Sequence, residues 1–306
     1  MWTRAIKIIK NIQSKAAVIL NAPREYDRRN YIGMGLFIFY AFCLLFGVRY
    51  GDRVVRKLNL EARPARPLVI LMYHNIAPDG TENLADVTVT VSKLREDFDC
   101  LRENGYTPVL PSELLNNPED FPEKPVLLTF DDGYTTNYTL LYPILQEYQY
   151  KCVIAPIVVM PDLWSGTFCS WDMYREMISS GLVEVGSHSY QRHNLEIDGM
   201  TYPEGHPNGV QRLPDEPDED FNIRVLQDIA LSHERIIQEL KTDPVFFAYP
   251  FGATEPDAQK LIDDLFPVSV TIQPGIADLY LGTARMPRNN IAIDTDLNQL
   301  LAELEK

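Results

Sequence analysis

From residue 68 onward the chain alternates between short strand-like runs rich in apolar residues and longer stretches of helical periodicity. The short runs are 68–73, 125–130, 152–159, 183–187, 245–249 and 268–272. Strands that alternate with helices in this way belong to parallel sheets. Between them the periodicity predicts helices over 92–104, 137–148, 171–180, 223–240 and 255–265, with a last one over 297–305. Leu94, Phe98 and Leu101 share one face of the first helix, and Ser92 is placed to cap it. Residues 194–221 are rich in Gly, Pro and acids and read as an insertion loop or a partly disordered stretch. No internal repeat is visible. The alternation predicts an α/β fold whose parallel sheet is closed, or nearly closed, into a barrel.

Four of the runs end in groups able to assist hydrolysis. PVLLTF leads into Asp131-Asp132-Gly133-Tyr134, VEVGS into His188 and His193, VFFAY into Pro250-Phe251-Gly252, and PLVILMY into His74. The carboxyl ends of parallel strands are where the following loops converge, so these distant positions can share one pocket. The set predicts a mononuclear metal hydrolase with Asp/His/His ligands. Adjacent carboxylates cannot both face inward along a regular strand, because neighbours alternate faces. A turn opened by Gly133 lets them diverge, one toward a metal and the other toward the proton of an attacking water. Asp-Gly alone is ordinary turn chemistry, and the histidine pair is what favours a site. Two neutral imidazoles and a carboxylate leave a position open on a divalent ion, with Zn the expected metal and Ni, Co or Fe as alternatives. The five-residue spacing of His188 and His193 is not that of a helical pair and places both on a loop. Hydrolysis of an amide also needs an acid for the departing amine. No histidine follows His233, and His206 and His233 sit in polar surroundings, so His74 is the remaining candidate.

TFDDGY, SHSYQRH and FAYPFG resemble the first three motifs of polysaccharide deacetylases, the fourth carbohydrate esterase family. With the MYHNI segment ahead of them, the resemblance is to the poly-β-1,6-N-acetylglucosamine deacetylase branch and covers roughly residues 67–300. It implies a distorted, incomplete (β/α) barrel, Asp132 as ligand, Asp131 as base, the backbone N–H of Tyr134 as oxyanion donor and His74 as general acid. The third motif departs from the common pattern: Ala248 stands where many relatives have an arginine that orients the base. Arg288, in MPRNN, is the candidate replacement, with a surface arginine as the alternative. Tyr249, Pro250 and Phe251 are expected to shape the wall of a substrate groove.

Charge divides the chain in two. Residues 1–66 hold 13 Lys/Arg against 4 Asp/Glu, a net of +9, and the remainder holds 15 against 39, a net of −24. The acidic body argues against nucleic-acid binding, which needs clustered Lys/Arg, whereas the basic leader suits an anionic membrane surface. Residues 2–20 gather Trp2, Ile6, Ile9 and Ile12 on one helical face with Arg4, Lys7 and Lys15 opposite. Residues 31–48 carry no charge, and 18 residues span about 27 Å as a helix, enough for a bilayer core. An uncleaved anchor fits better than a signal peptide, because the apolar run starts late and Val48-Arg49-Tyr50 is no cleavage site. The expected organisation is a basic amphipathic segment (1–30), a transmembrane helix (31–48), a linker (49–67) and a catalytic domain (68–306). Lys/Arg counts on the two sides barely differ, so only the exported substrate implied by the resemblance places the body outside the cytoplasm. Membrane lipid, an N-acetylated polysaccharide and a polysaccharide synthase or export complex are the partners this reading implies. Cys43, Cys100, Cys152 and Cys169 lack metal-site spacing and read as free thiols, with one disulfide as the alternative. The expected function is a membrane-anchored, metal-dependent polysaccharide N-deacetylase. An O-acetyl esterase or small-amide hydrolase on the same fold, or a non-catalytic glycan-binding protein, are the rivals.

Overall fold

In the computed structural model the described residues are 65–163, 166–193, 209–213 and 215–305. The expected amphipathic segment, the transmembrane helix and most of the linker lie outside them. Among the described residues, no helix is long and apolar enough to cross a membrane.

The strands are β1 (Pro67–Tyr73), β2 (Asn75–Ala77), β3 (Thr88–Thr90), β4 (Thr107–Pro108), β5 (Pro125–Asp132), β6 (Cys152–Pro156), β7 (Val183–Val185), β8 (Phe246–Ala248), β9 (Val268–Val270), β10 (Ala277–Asp278) and β11 (Asn289–Asn290). The helices are α1 (Val91–Glu103), α2 (Tyr142–Tyr148), α3 (Val159–Leu163), α4 (Trp171–Ser179), α5 (Asp218–Phe221), α6 (Gln227–Leu240), α7 (Pro256–Leu265) and α8 (Leu297–Leu304). β1 pairs in parallel with β5 and β11, β5 with β6, and β6 with β7. β8 and β9 form a separate parallel pair. Two single parallel bridges, Ser187 to Phe247 and Val270 to Met286, join that pair to its neighbours. The path β1-β5-β6-β7-β8-β9-β11 therefore returns to β1 as an irregular parallel ring, with β10 antiparallel on β1 as an addition.

Both faces of the ring are apolar. Leu68, Ile70, Leu127, Val153, Ala155, Phe246, Ala248, Val268 and Val270 pack together in one cluster. The alternate residues Val69, Leu71, Tyr73, Val126, Leu128 and Phe130 pack in another, with Leu94, Phe98 and Leu101 of α1. Each buried Val or Leu contributes about 1.5–3 kcal/mol before chain entropy is charged. This two-sided burial is why β1, β5 and β6 lack polar alternation. Where β7 runs on to meet β8 the backbones crowd together, and a Cβ on Gly186 would stand 2.5 Å from the Phe246 carbonyl oxygen.

Several element ends differ from expectation. Thr90, not Ser92, caps α1, its side chain accepting the Lys93 N–H at 3.2 Å, while Ser92 bonds Asp79. Residues 137–141 and 222–226 wind as π turns ahead of α2 and α6 instead of continuing as regular helix. The run at 152–159 stops as strand at Pro156 and enters α3, because a proline offers no N–H to extend the ladder. The strands expected at 183–187, 245–249 and 268–272 are three residues each. Cys100, Cys152 and Cys169 are free and buried; Cys43 lies outside the described residues.

Candidate active site

β5 delivers the two carboxylates to one mouth of the ring. Leu127, Thr129 and Asp131 alternate along the strand, and Leu127 belongs to the cluster shared with Ala155, Ala248 and Val270. Strand alternation therefore aims Asp131 the same way. Asp132 and Gly133 then turn into left-handed backbone, with φ of 69° and 81°. That break in the pleat separates the two carboxylates. Glycine is required at 133, where a Cβ would lie 2.2 Å from the Tyr174 hydroxyl and 2.8 Å from Pro156 Cβ.

Asp131 is held by Arg288. The guanidinium, fully buried just ahead of β11, donates from Nη1 to Asp131 Oδ1 at 2.8 Å and to Thr129 Oγ1 at 3.2 Å, and from Nε to the Thr271 carbonyl at 2.8 Å. Burial alone would raise the Asp131 pKa, but the charge and hydrogen bond of Arg288 outweigh it and hold the carboxyl well below its usual range. Asp132 has the opposite fate. Burial and then the charge of Asp131 push it up to about 7, although Tyr134 and Arg288 oppose the rise. One environment thus fixes the first carboxylate as an anion and leaves the second near neutrality without a countercharge.

That countercharge fits between Asp132 and the two imidazoles. Asp132 Oδ1 lies 3.8 Å from His188 Nε2 and 3.7 Å from His193 Nε2. These separations are too long for hydrogen bonds. They are close to the roughly 3.4 Å expected between two ligands on one tetrahedral Zn²⁺. Asp132 Oδ1 and His193 Nδ1 are buried without a hydrogen-bond partner. His188 Nδ1 is 2.7 Å from the Ala248 carbonyl, which selects the tautomer that turns the Nε2 lone pair toward Asp132. Burial lowers the pKa of His188, and burial together with His188 lowers that of His193 to about 2, so both rings are neutral, as ligands must be. The residues fit a divalent metal.

His74, half-buried, follows β1 at the same mouth, and its carbonyl accepts from Asn137 Nδ2 at 3.0 Å. Its Nδ1 is buried and unpaired. Burial lowers its pKa to about 4, opposed by the nearby Asp131 charge. Tyr134 packs its ring on Phe168, centroids 5.3 Å apart. Phe251, with φ of 57°, stacks on His193 at 4.4 Å and remains 42% exposed beside the site. Pro250 is buried. Tyr249 does not line the groove. Together with Phe247 it faces the apolar layer of α6 and α7, because residues two apart on a strand share a face. His233 pairs with Asp243 at 3.0 Å, away from the mouth; His206 lies outside the described residues.

Comparison with known proteins shows what the part of the chain that carries this site is similar to. Residues 119–265, just under half of the chain, match the family model described as polysaccharide deacetylase. It is similar to the poly-β-1,6-N-acetyl-D-glucosamine N-deacetylase of Escherichia coli (strain K12), 28% identical over 240 residues that cover 70% of this chain and 35% of that protein. The chain thus spans about a third of that curated relative's length. Among solved structures it resembles a de-N-acetylase from Aggregatibacter actinomycetemcomitans, with a TM-score of 0.67 at 25% identity, covering 78% of this chain and 99% of the other. The BpsB deacetylase domain from Bordetella bronchiseptica superposes with a TM-score of 0.60 at 25% identity, over 75% of this chain and 98% of that one.

Two outcomes follow from this electrostatic layout. Since the imidazoles are already neutral, the proton that competes with a metal is the one on Asp132. Zn²⁺ affinity should therefore rise with pH up to about 7 and level off above it, with proton release on binding, as isothermal titration in buffers of different ionisation enthalpy can show. A pH-independent affinity between acid and neutral conditions would contradict the assignment. Arg288→Met, by contrast, leaves a buried charge on Asp131 and should lower stability by about 3–5 kcal/mol in denaturant unfolding. Adding Asp131→Asn should recover part of that loss. A simple sum of the two single effects would mean that the pair is not coupled.

Proposed function

We propose that this chain is a metal-dependent N-deacetylase of a glycan bearing N-acetylglucosamine, of the poly-β-1,6-linked type named for its curated relatives. The observation that carries the reading is the pair of adjacent carboxylates driven apart in pKa, one bonded to a buried arginine and the other facing two neutral imidazoles. Asp132, His188 and His193 would hold a divalent ion, which when bound would supply Lewis acidity toward the acetamide carbonyl and lower the pKa of water toward about 7.

The chain's own groups supply the rest. Asp131, kept anionic by Arg288, accepts a proton from the water that attacks the carbonyl carbon. The backbone N–H of Tyr134 donates to the carbonyl oxygen as negative charge develops on it. His74 gives a proton to the nitrogen as the C–N bond breaks, leaving acetate and a free amine on the sugar. The resting imidazole is neutral near pH 7, so it takes up that proton from solvent in the complex, before attack, while Asp131 is still an anion and favours it. The exposed face of Phe251 offers an apolar wall to a sugar ring. The bond from Arg288 to Asp131 supports Arg288 in the role left open by Ala248, and so supports activity over the non-catalytic alternative. The uncharged 31–48 segment supports a membrane anchor, with the body outside the cytoplasm where an exported glycan would meet it.

The test is acetate release by the full chain with Zn²⁺, from N-acetylglucosamine oligomers and from acetylated xylan. Release from the oligomers is expected, and none from His188→Ala. His74→Ala should keep its metal and lose about 10²–10⁴-fold in kcat. Release from xylan alone would make the chain an esterase. Near-normal kcat in His74→Ala would remove that residue from the mechanism.

A further inference from the structure

One side chain from outside the ring ties down three residues of the loop that joins the two imidazoles, a loop also held by the Val158 and Val159 N–H groups, which donate to the Ser189 and Tyr190 carbonyls at 3.0 Å. Asp228, buried in the first turn of α6, accepts the Tyr190 N–H at 2.9 Å on Oδ1 and the Gln191 N–H at 3.0 Å on Oδ2. The same Oδ2 lies 3.4 Å from Nε of Arg192, itself buried. Three successive residues between His188 and His193 are thus tied to one carboxylate. A second tie comes from the same helix one turn on, where Ser232 Oγ lies 2.9 Å from Ser187 Oγ. The loop needs such restraint. Ser189 adopts a φ of 67°, left-handed backbone that is strained for a non-glycine residue. The turn is closed by Ser189 N–H to Ser187 Oγ at 3.1 Å and Arg192 N–H to Ser189 Oγ at 2.9 Å.

We propose that Asp228 is a positioning residue for the metal centre: by pinning residues 190–192 from α6, it sets the separation and aim of His188 and His193. The proposal rests on the reading of Asp132, His188 and His193 as metal ligands. A five-residue spacing has no helix to impose geometry on the two rings, so the geometry must come from the loop's anchors. Of the two imidazoles, only His188 has its second nitrogen fixed by a protein acceptor. His193 therefore depends on the backbone that carries it. Asp228 can do this because a carboxylate offers two acceptor oxygens to its three donors. An asparagine offers one oxygen, and its NH₂ would face a donor.

The experiment is competition for Zn²⁺ between a chromophoric chelator and the full-length protein, as wild type, Asp228→Asn, Asp228→Glu and His188→Ala, alongside the visible spectrum of the Co²⁺-loaded forms. Asp228→Asn is expected to bind Zn²⁺ about 10- to 100-fold more weakly and to alter the Co²⁺ bands, which a loss of stability alone would not do. Asp228→Glu, which keeps both oxygens, should recover part of the affinity. If Asp228→Asn does not fold, Asp228→Glu still reports, since its extra methylene must displace residues 190–192 and weaken binding. A folded Asp228→Asn, or in its absence a folded Asp228→Glu, with wild-type Zn²⁺ affinity and an unchanged Co²⁺ spectrum would overturn the proposal. Wild-type protein that takes up no Zn²⁺ would instead bring down the metal reading beneath it.

Discussion

The site depends on the buried contact between Arg288 and Asp131. Two carboxylates on adjacent residues, both withdrawn from water, cannot stay ionised together without help. The guanidinium settles which one keeps its charge. With Asp131 fixed as an anion, Asp132 is left with a raised pKa and two neutral imidazoles opposite it. Both the place for a cation and the place for a proton acceptor follow from that asymmetry. Arg288 also bonds Thr129 Oγ1 and the Thr271 carbonyl, so the pair ties β5 to the segment just after β9 and to the start of β11. The ring is irregular on that side, where single bridges replace full strand pairing. Part of its closure there is thus carried by the same side chain that sets the electrostatics.

Much of this was legible in the chain. The six strand-like runs each contain a strand, and in β1, β5 and β6 the absence of polar alternation follows from a ring with side chains packed inside and helices outside, which gives those strands no wet face. The chemistry at their ends was legible for the same reason: strand ends converge, so Asp132, His188 and His193 were expected together, and their ligand atoms lie within 4.8 Å of one another.

What sequence reasoning missed depends on pairings between residues far apart. Bridges of a single residue pair leave no periodicity to read, and the two-residue strands are too short to show one. Tyr249 was expected at the groove, yet alternation with the inward Ala248 turns it outward; the register of VFFAY against the ring decides this, and the sequence does not display it. Arg288 was a candidate beside an equally good surface reading, and only its burial separates the two. Asp228 was not singled out. Its one sequence signal is an acid among the apolar positions of α6, with Ile229, Ser232 and Ile236 as its buried neighbours on the helix.

The central claim is a division of labour between neighbouring carboxylates, and anomalous diffraction from crystals grown with Zn²⁺ tests it most directly. The account predicts one strong peak about 2.0–2.2 Å from Asp132, His188 Nε2 and His193 Nε2, with Asp131 still bonded to Arg288. A peak that takes Asp131 as a ligand, with Arg288 turned away, would contradict it.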